Sequence, residues 1–217
     1  MVSINTFKLW TEYVQNKVQS GGTMSTSQFN ENCFRAMMMP YEKDYQTYTK
    51  TGTVSEYLKT FLVTDYVRQV SQAEPILAYP TDNQHITSVG TYYNGKQTPA
   101  DRIENTMWRD MLVSQLYPAT LRFPKFQETG SGIEFAPKNV GTVYLDYFRT
   151  PKRPVWGYTP VNNRPVFSQA LSTDMEIDEF AFNNVSAYFF SFVGVNLSDA
   201  NIAAFATAFK QETNMIL

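Results

Sequence analysis

Apolar positions at the start of the chain recur at helical spacing. From Phe7 to Val18 they predict a first helix, which Gly21-Gly22 ends. Hydroxyls at residues 25–27 predict the N-cap of a second helix, in which Pro40 is expected to kink or end the helix. A short helix is predicted around residues 41–48, and another over residues 55–63 after the break at Gly52.

Helical spacing returns at the end of the chain. Apolar residues from Ala181 to Phe192 share one face of a predicted helix, and Gly194 is its expected C-cap. Ser198 is expected to cap a last helix that runs through Phe209. The two helices would form a hairpin over a short loop.

The middle of the chain has the pattern of short strands. Prolines interrupt it from residue 75 to residue 165, and residues 86–93 followed by Asn94-Gly95 predict a strand and a tight hairpin turn. Residues 121–126, 133–135 and 140–148 predict further antiparallel strands. Residues 101–113 are compatible with a helix or with a polar crossover that contains a short helix.

These patterns together predict an α+β fold. Residues 1–63 and 170–217 form a helical bundle as the body, and residues 64–169 form an inserted small antiparallel β-subdomain with a proline-rich arm.

Residues 136–158 contain the most unusual local pattern. Val143, Leu145 and Tyr147 alternate with more polar neighbours, which predicts a half-buried strand. Pro151 and Pro154 then lack the amide proton that a sheet ladder requires. The strand is therefore expected to leave the sheet as a stiff basic arm.

The amino-acid composition indicates that much aromatic surface is buried, either in a core or against partners. Of the 217 residues, 15% are aromatic and only 18% are charged, below the usual ~25%. Such a composition fits a chain buried against partners or an aromatic monomer core, and it does not decide between them. The net charge of −2 does not indicate a nucleic-acid-binding surface. The sequence shows no membrane span and no secretory signal, so folding in a reducing cytoplasm is expected.

Residues for chemistry are scarce. Cys33 and His85 are the only cysteine and histidine, and no phosphate loop, zinc motif or nucleophile elbow is present. Cys33 is expected to be a buried thiol and His85 a structural residue. The acidic residues 174–179 lack the spacing of a calcium loop and are expected to begin a helix. The chain is therefore predicted not to be an enzyme and to have no catalytic, metal or cofactor site.

Arg149, Lys152 and Arg153 form the one tight basic cluster. Three interpretations stay open: a solvated loop, a salt-bridged contact with an acidic partner surface, or a phosphate contact.

Residues 143–156 follow the pattern V-x-L-x-Y-x-R-x-P-x-x-P-x-W, which resembles tailed-phage virion proteins, particularly the neck ring proteins of crAss-like phages. Residues 116–124 are similar to the proline-bounded strand upstream of that pattern. Residues 194–199 are similar to the loop before the last helix of those proteins.

The resemblance implies a structural virion protein of the head-to-tail connector, located in the neck or tail of the virion and made in the host bacterial cytoplasm. It implies a ring of about twelve copies below the portal that contacts the portal and other neck or tail rings. Genomic double-stranded DNA would pass through without sequence-specific binding. A phage tail or fibre-associated ligand-binding β-module is the alternative.

Such a ring repeats one heterologous contact between neighbouring subunits. The arm is the predicted contact, because prolines limit its entropy loss on docking and tryptophan often anchors interfaces. Its residues are Arg149, Pro151, Lys152, Arg153, Pro154, Trp156 and Tyr158.

Overall fold

The structure is a computed structural model that describes residues 1–17, 24–71, 74–162, 164–197, 204 and 206–211. Helices and antiparallel sheets are both present, which confirms the α+β class. The chain divides into two compact units: the terminal unit, Met1–Thr60 with Pro151–Leu217, and the central unit, Phe61–Thr150. Residues 151–169, assigned above to the β-subdomain, thus belong to the terminal unit, and residues 61–63, assigned above to the body, belong to the central unit.

The helices and strands have the following bounds. The helices are α1 (Ile4–Lys17), α2 (Thr26–Thr51), α3 (Glu56–Lys59), α4 (Trp108–Val113) and α5 (Glu179–Leu197). The strands are β1 (Leu62–Val70), β2 (Ile76–Leu77), β3 (Asn83–Tyr93), β4 (Lys96–Pro99), β5 (Asp101–Arg102), β6 (Lys125–Thr129), β7 (Gly132–Ala136), β8 (Gly141–Arg149), β9 (Tyr158–Val161) and β10 (Arg164–Phe167).

Helix α2 begins where the hydroxyls predicted it and passes through its proline. The Ser25 hydroxyl accepts the backbone N–H of Gln28, whose side chain in turn accepts the N–H of Ser25. The helix does not end at Pro40. It continues to Thr51 and includes the residues for which a separate short helix was predicted. Pro40 is buried beside Tyr41, so packing offsets the lost backbone hydrogen bond.

Two other predicted helix ends are wrong. Residues 55–63 are not one helix: α3 stops at Lys59, and residues from Leu62 onward pair with β8 in a sheet. Helix α5 does not end at Gly194 but continues to Leu197. The predicted ends at Gly21-Gly22 and the cap at Ser198 lie outside the described residues, while residues 206–211 are helical.

Aromatic rings fill the space between the helices of the terminal unit. Phe7 of α1 meets Phe189 of α5 edge-on, with ring centroids 5.3 Å apart, and Phe29 of α2 lies 5.5 Å from the same ring. Trp10 packs against Phe190 at 5.3 Å. These are the separations and angles that aromatic pairs prefer, so the apolar helix faces read from the sequence meet in one aromatic cluster.

The central unit consists of two four-stranded sheets. One has the order β1-β8-β3-β4 and is antiparallel throughout, and the other has the order β2-β7-β6-β5 with a parallel β5–β6 pair. Asn94 and Gly95 form the predicted turn between β3 and β4, with φ of 49° and 74°. Residues 101–113 contain both β5 and the short helix α4, so the crossover interpretation is the closer one. The two-stranded sheet β9–β10 belongs to the terminal unit.

Strand β8 is central in its sheet. Val143, Leu145 and Tyr147 lie in the apolar core, as their alternation predicted. The prediction of a half-buried strand is wrong for the opposite face, because Tyr144 and Phe148 are buried as well. β8 pairs with β1 on one edge and β3 on the other, and Tyr144 packs edge-on against Tyr92 of β3.

None of the helices in the described ranges has the length and apolar content that crossing a bilayer requires.

Candidate interaction surfaces

Residues 151–158, the proline strip, are attached to the terminal unit along their length. Pro151 and Pro154 are buried. The backbone N–H of Lys152 donates to Glu176 Oε2 at 2.9 Å. Val155 and Thr173 exchange two backbone hydrogen bonds of 3.0 and 2.8 Å. The strip therefore lies on its own chain and does not project from it as an arm.

Trp156 is the strongest of these attachments and is only 7% exposed. Its backbone N–H donates to Asn30 Oδ1 at 2.8 Å, and its indole Nε1–H donates to Asn5 Oδ1 at 3.1 Å. Its ring stacks on Tyr158 at 5.8 Å, and the Lys8 ammonium lies 4.8 Å from its centroid. Trp156 thus joins the strip to α1 and α2.

This geometry corrects the expected role of Trp156 as an exposed anchor. The sequence shows that the strip is stiff and aromatic, but it does not show that two asparagines on separate helices satisfy the indole and its backbone N–H. Burial of Trp156 within its own chain removes the apolar ring from water, while the backbone N–H and the indole N–H both keep hydrogen-bond acceptors. Lys152, Arg153, Val155 and Tyr158 remain exposed, and their contact with a neighbour stays a prediction.

Gly157 allows the strip to approach the turn that follows β10. A Cβ atom at this position would lie 2.2 Å from the carbonyl oxygen of Leu171. The Gly157 N–H donates to the Ser172 hydroxyl at 2.9 Å. No side chain fits at this close approach, so only glycine permits the strip to follow this course.

A groove of about 640 Å³ runs beside the strip, within the terminal unit. Its walls are Thr26, Ser27, Asn30, Glu31 and Phe34 of α2, residues 153–158 of the strip, and Leu171. The volume lies in the range of ligand-sized pockets, roughly 300–1,000 Å³. Val155, Tyr158 and Leu171 expose apolar surface into or next to it.

The basic cluster predicted from the sequence is divided between the two units. Arg153 forms an ion pair with Glu31 at 3.0 Å and lies 4.2 Å from the ring of Phe34. Lys152 Nζ lies 3.9 Å from Glu176 Oε1. Arg149 ends β8 in the central unit, where its guanidinium lies over Phe61 at 5.4 Å. Lys152 and Arg153 are thus each beside a carboxylate of their own chain, an arrangement that none of the three interpretations specified. The contact with an acidic partner surface and the phosphate contact both stay predictions.

A second candidate surface, which the sequence did not reveal, lies in the central unit. Residues 107–123, the apolar segment, expose large apolar side chains that are all at least 40% accessible: Met107, Leu112, Val113, Leu116, Tyr117, Leu121 and Phe123. Leu116 is 99% exposed and Val113 is 80% exposed. The available signal is the high density of apolar residues between positions 111 and 123. The strand predicted over residues 121–126 begins only at Lys125, so residues 121–124 lie outside the sheet.

Helix α4 explains how this segment is both attached and exposed. Trp108 and Met111, three residues apart, are buried together with Ala136 at the end of β7. Leu112 and Val113 lie off that face and are exposed. An ordinary surface helix is polar on its outer side, whereas α4 exposes Leu112 and Val113 among the described residues.

The second half of the segment is attached by Lys125, whose side chain is fully buried. Its ammonium donates to the Tyr117 carbonyl at 2.5 Å and lies 3.3 Å from the centroid of the Tyr117 ring. The Tyr117 hydroxyl donates to Asp101 Oδ2 at 2.7 Å. Burial lowers the pKa of Lys125, and the nearby Asp101 carboxylate opposes this shift.

The titratable groups considered in the sequence have structural surroundings. Cys33 is buried, and burial raises the pKa of its thiol well above the ordinary value. Asp178 accepts the N–H of Ala181 at 2.7 Å at the start of α5, and Asp174 accepts the N–H of Ile4 at 3.0 Å. Among the described residues, no group of three or more His, Cys, Asp or Glu side chains is arranged to hold a metal ion.

A comparison with protein-family models gives no match, and a comparison with curated proteins gives no significant match.

Proposed function

We propose that this chain is a structural virion protein of a tailed bacteriophage that assembles as a ring in the head-to-tail connector below the portal. In this proposal the terminal unit is a helical-bundle body with the central unit as its inserted β-subdomain. About twelve copies enclose the passing DNA, and the ring contacts the portal and the other neck or tail rings. The observation that carries the proposal is the apolar segment.

The exposed apolar area is what supports assembly. Monomeric proteins rarely expose apolar patches beyond about 300–600 Å². At these exposures the seven residues present on the order of 800 Å² of accessible surface in total, apolar and polar atoms together, which is comparable with one partner's share of a standard interface, about 800 Å². A small net charge of −2 adds little electrostatic repulsion between copies.

The resemblance of residues 143–156 to neck ring proteins gives the proposal its particular assembly. The alternative is a ligand-binding β-module of a phage tail or fibre, whose groove would have to offer open aromatic faces for stacking. In the groove described here, Arg153 covers the ring of Phe34, and Lys8 and Tyr158 lie against Trp156. Those contacts favour the ring over the ligand-binding module.

The test is the mass and shape of the purified chain. Light scattering after size-exclusion chromatography, with negative-stain electron microscopy of the same peak, is expected to show a ring of about 300 kDa for twelve chains of 24.9 kDa. A closed ring of another copy number would change only the number of subunits. A chain that remains monomeric or trimeric up to millimolar concentration, and binds glycans on an array, would contradict the proposal and support the ligand-binding module.

A further inference from the structure

We propose that the buried ammonium of Lys125 holds residues 114–123, the loop of the apolar segment, in the position in which they contact another copy. This inference rests on the proposed assembly through the apolar segment and names the residue that positions that surface. Lys125 acts through the loop and not in the contact itself, because its side chain is fully buried.

The loop has few attachments of its own. Its residues form no helix or strand, and none of them is buried. Thr120 and Phe123 exchange backbone hydrogen bonds of 3.2 and 3.1 Å, which join the loop only to itself. Ala119 is partly buried against the cluster around Trp108. A stretch with so little buried surface opens easily unless a further contact fixes it.

Lys125 supplies that further contact. It is the first residue of β6, which lies between β5 and β7 in its sheet. Its ammonium donates to the Tyr117 carbonyl at 2.5 Å and lies 3.3 Å from the centroid of the Tyr117 ring. The Asp101 carboxylate of β5 accepts the Tyr117 hydroxyl at 2.7 Å. Tyr117, within the loop, is thus held at its carbonyl, its ring and its hydroxyl.

A charge at this buried position has a cost that filling the core does not require. Among the described residues, Lys125 is the one lysine or arginine that is buried. Removing an ammonium from water is unfavourable, and burial accordingly lowers the pKa of this group. Replacing a buried charged group by an apolar side chain of similar volume is often neutral or stabilising. What the ammonium adds is its contact with Tyr117, so its effect falls on the loop and not on the sheet.

A fixed loop makes the contact between copies more favourable. Leu116 directly precedes Tyr117 and is 99% exposed, and Leu121 and Phe123 are also exposed. Fixing Tyr117 before docking reduces the conformational entropy that the loop loses when the copies meet. Loss of the ammonium is therefore expected to leave the sheet folded and to weaken assembly.

Limited proteolysis of Lys125→Met tests this hold on the loop. Methionine has a similar length without the charge, and Arg122 is a trypsin site within the loop. We expect cleavage after Arg122 to be at least about tenfold faster than in the parent, because the loop opens while the sheet stays folded. The thermal unfolding temperature is expected to stay close to that of the parent or to rise. Light scattering is expected to show assembly weakened at least about tenfold.

Three further variants isolate the ammonium. Leu116→Ser weakens assembly and leaves Lys125 in place, so slow cleavage in this variant shows that contact with another copy is not what protects Arg122. Lys138→Met removes an exposed lysine between β7 and β8 and is expected to match the parent in every measurement. Tyr117→Leu removes the ring and the hydroxyl at an exposed position, and it is expected to speed cleavage without disturbing the core.

The outcomes separate this inference from the proposed assembly. A folded Lys125→Met variant that is cleaved at the parent's rate overturns the inference and leaves the proposed function standing. A marked fall in its unfolding temperature also overturns the inference, because the ammonium would then stabilise the sheet. Fast cleavage after Arg122 with unchanged assembly rejects the apolar segment as the contact between copies, and with it the role of Lys125 in assembly.

Discussion

The proline strip and the apolar segment share residue types and have opposite environments. Both combine prolines, aromatic residues and arginines. The strip buries its aromatic Trp156 against α1 and α2, while the segment exposes Leu116 and its apolar neighbours. The difference lies in what covers each stretch: two asparagines on helices accept hydrogen bonds from Trp156, whereas Leu116 is 99% exposed among the described residues. Local sequence thus indicates that a stretch is rich in apolar and aromatic residues. It does not indicate whether its own chain or another copy buries them.

The largest expected effect comes from removing the tryptophan of the strip. Trp156→Ala is expected to lower the free energy of unfolding of the terminal unit by about 3–5 kcal/mol, because it leaves a cavity and removes the indole N–H that Asn5 Oδ1 accepts, while the backbone N–H of residue 156 still donates to Asn30. Chemical denaturation followed by circular dichroism measures the change. Trp156→Phe is the matched control and is expected to lose much less. A loss below about 1 kcal/mol for the alanine variant would show that the strip is held mainly by its backbone.

Two adjacent residues of α4 compare a buried and an exposed position directly. Met111→Ala is expected to cost about 2–3 kcal/mol, because Met111 packs with Trp108 and Ala136. Leu112→Ala, one residue further, is expected to change the free energy of unfolding by less than about 0.5 kcal/mol. Urea denaturation of the two variants measures both values. Equal costs would mean that Leu112 is covered within its own chain.

Alkaline pH is expected to weaken the central unit that presents the apolar segment. Burial, with the hydrogen bond to Asp82, raises the pKa of Tyr147 to about 12 from its ordinary value of 10. In the unfolded chain this tyrosine ionises first, so its stabilising contribution is complete below pH 10 and is lost as the pH rises through 12.

Thermal unfolding between pH 9 and 12 measures this dependence. Tyr147→Phe is expected to flatten it, whereas Tyr93→Phe, at an exposed tyrosine, is expected to leave it unchanged. Retention of the same pH dependence in the Tyr147→Phe variant would assign it to other groups.

The ion pair at the rim of the groove is expected to contribute little to the fold. Arg153→Ala should lower the free energy of unfolding by at most about 1 kcal/mol, since both partners are exposed and screened by salt. A double-mutant cycle with Glu31→Ala at low and high salt measures the coupling. A coupling above about 2 kcal/mol would show that the pair is desolvated and part of the fold.

The smallest effect on stability is expected at Leu116 of the apolar segment. Leu116→Ser should change the free energy of unfolding by less than about 0.5 kcal/mol, because the side chain is 99% exposed. The same variant is expected to weaken assembly at least tenfold in light scattering. Ser88→Ala, on a central strand away from the segment, is the assembly control. Unchanged assembly with Leu116→Ser would show that Leu116 does not lie in the interface between copies.

Some structural features were predictable from local sequence and others were not. The cap at Ser25 and the turn at Asn94-Gly95 were predictable, because each depends on a hydrogen bond or a backbone angle that its own residues set. The continuation of α2 through Pro40 and the switch from helix to strand at Leu62 were not predictable. In both places, contacts with residues distant in sequence outweigh local preference.

The sequence by itself determined the mixed class, the shared face of Val143, Leu145 and Tyr147, and the low count of catalytic residue types. These follow from local backbone periodicity and composition. Only the tertiary structure decided that β8 is covered on both faces, that Trp156 is buried, and that Leu116 is exposed. The burial of a side chain depends on which residues distant in sequence pack against it in the folded chain. Local periodicity does not identify those residues.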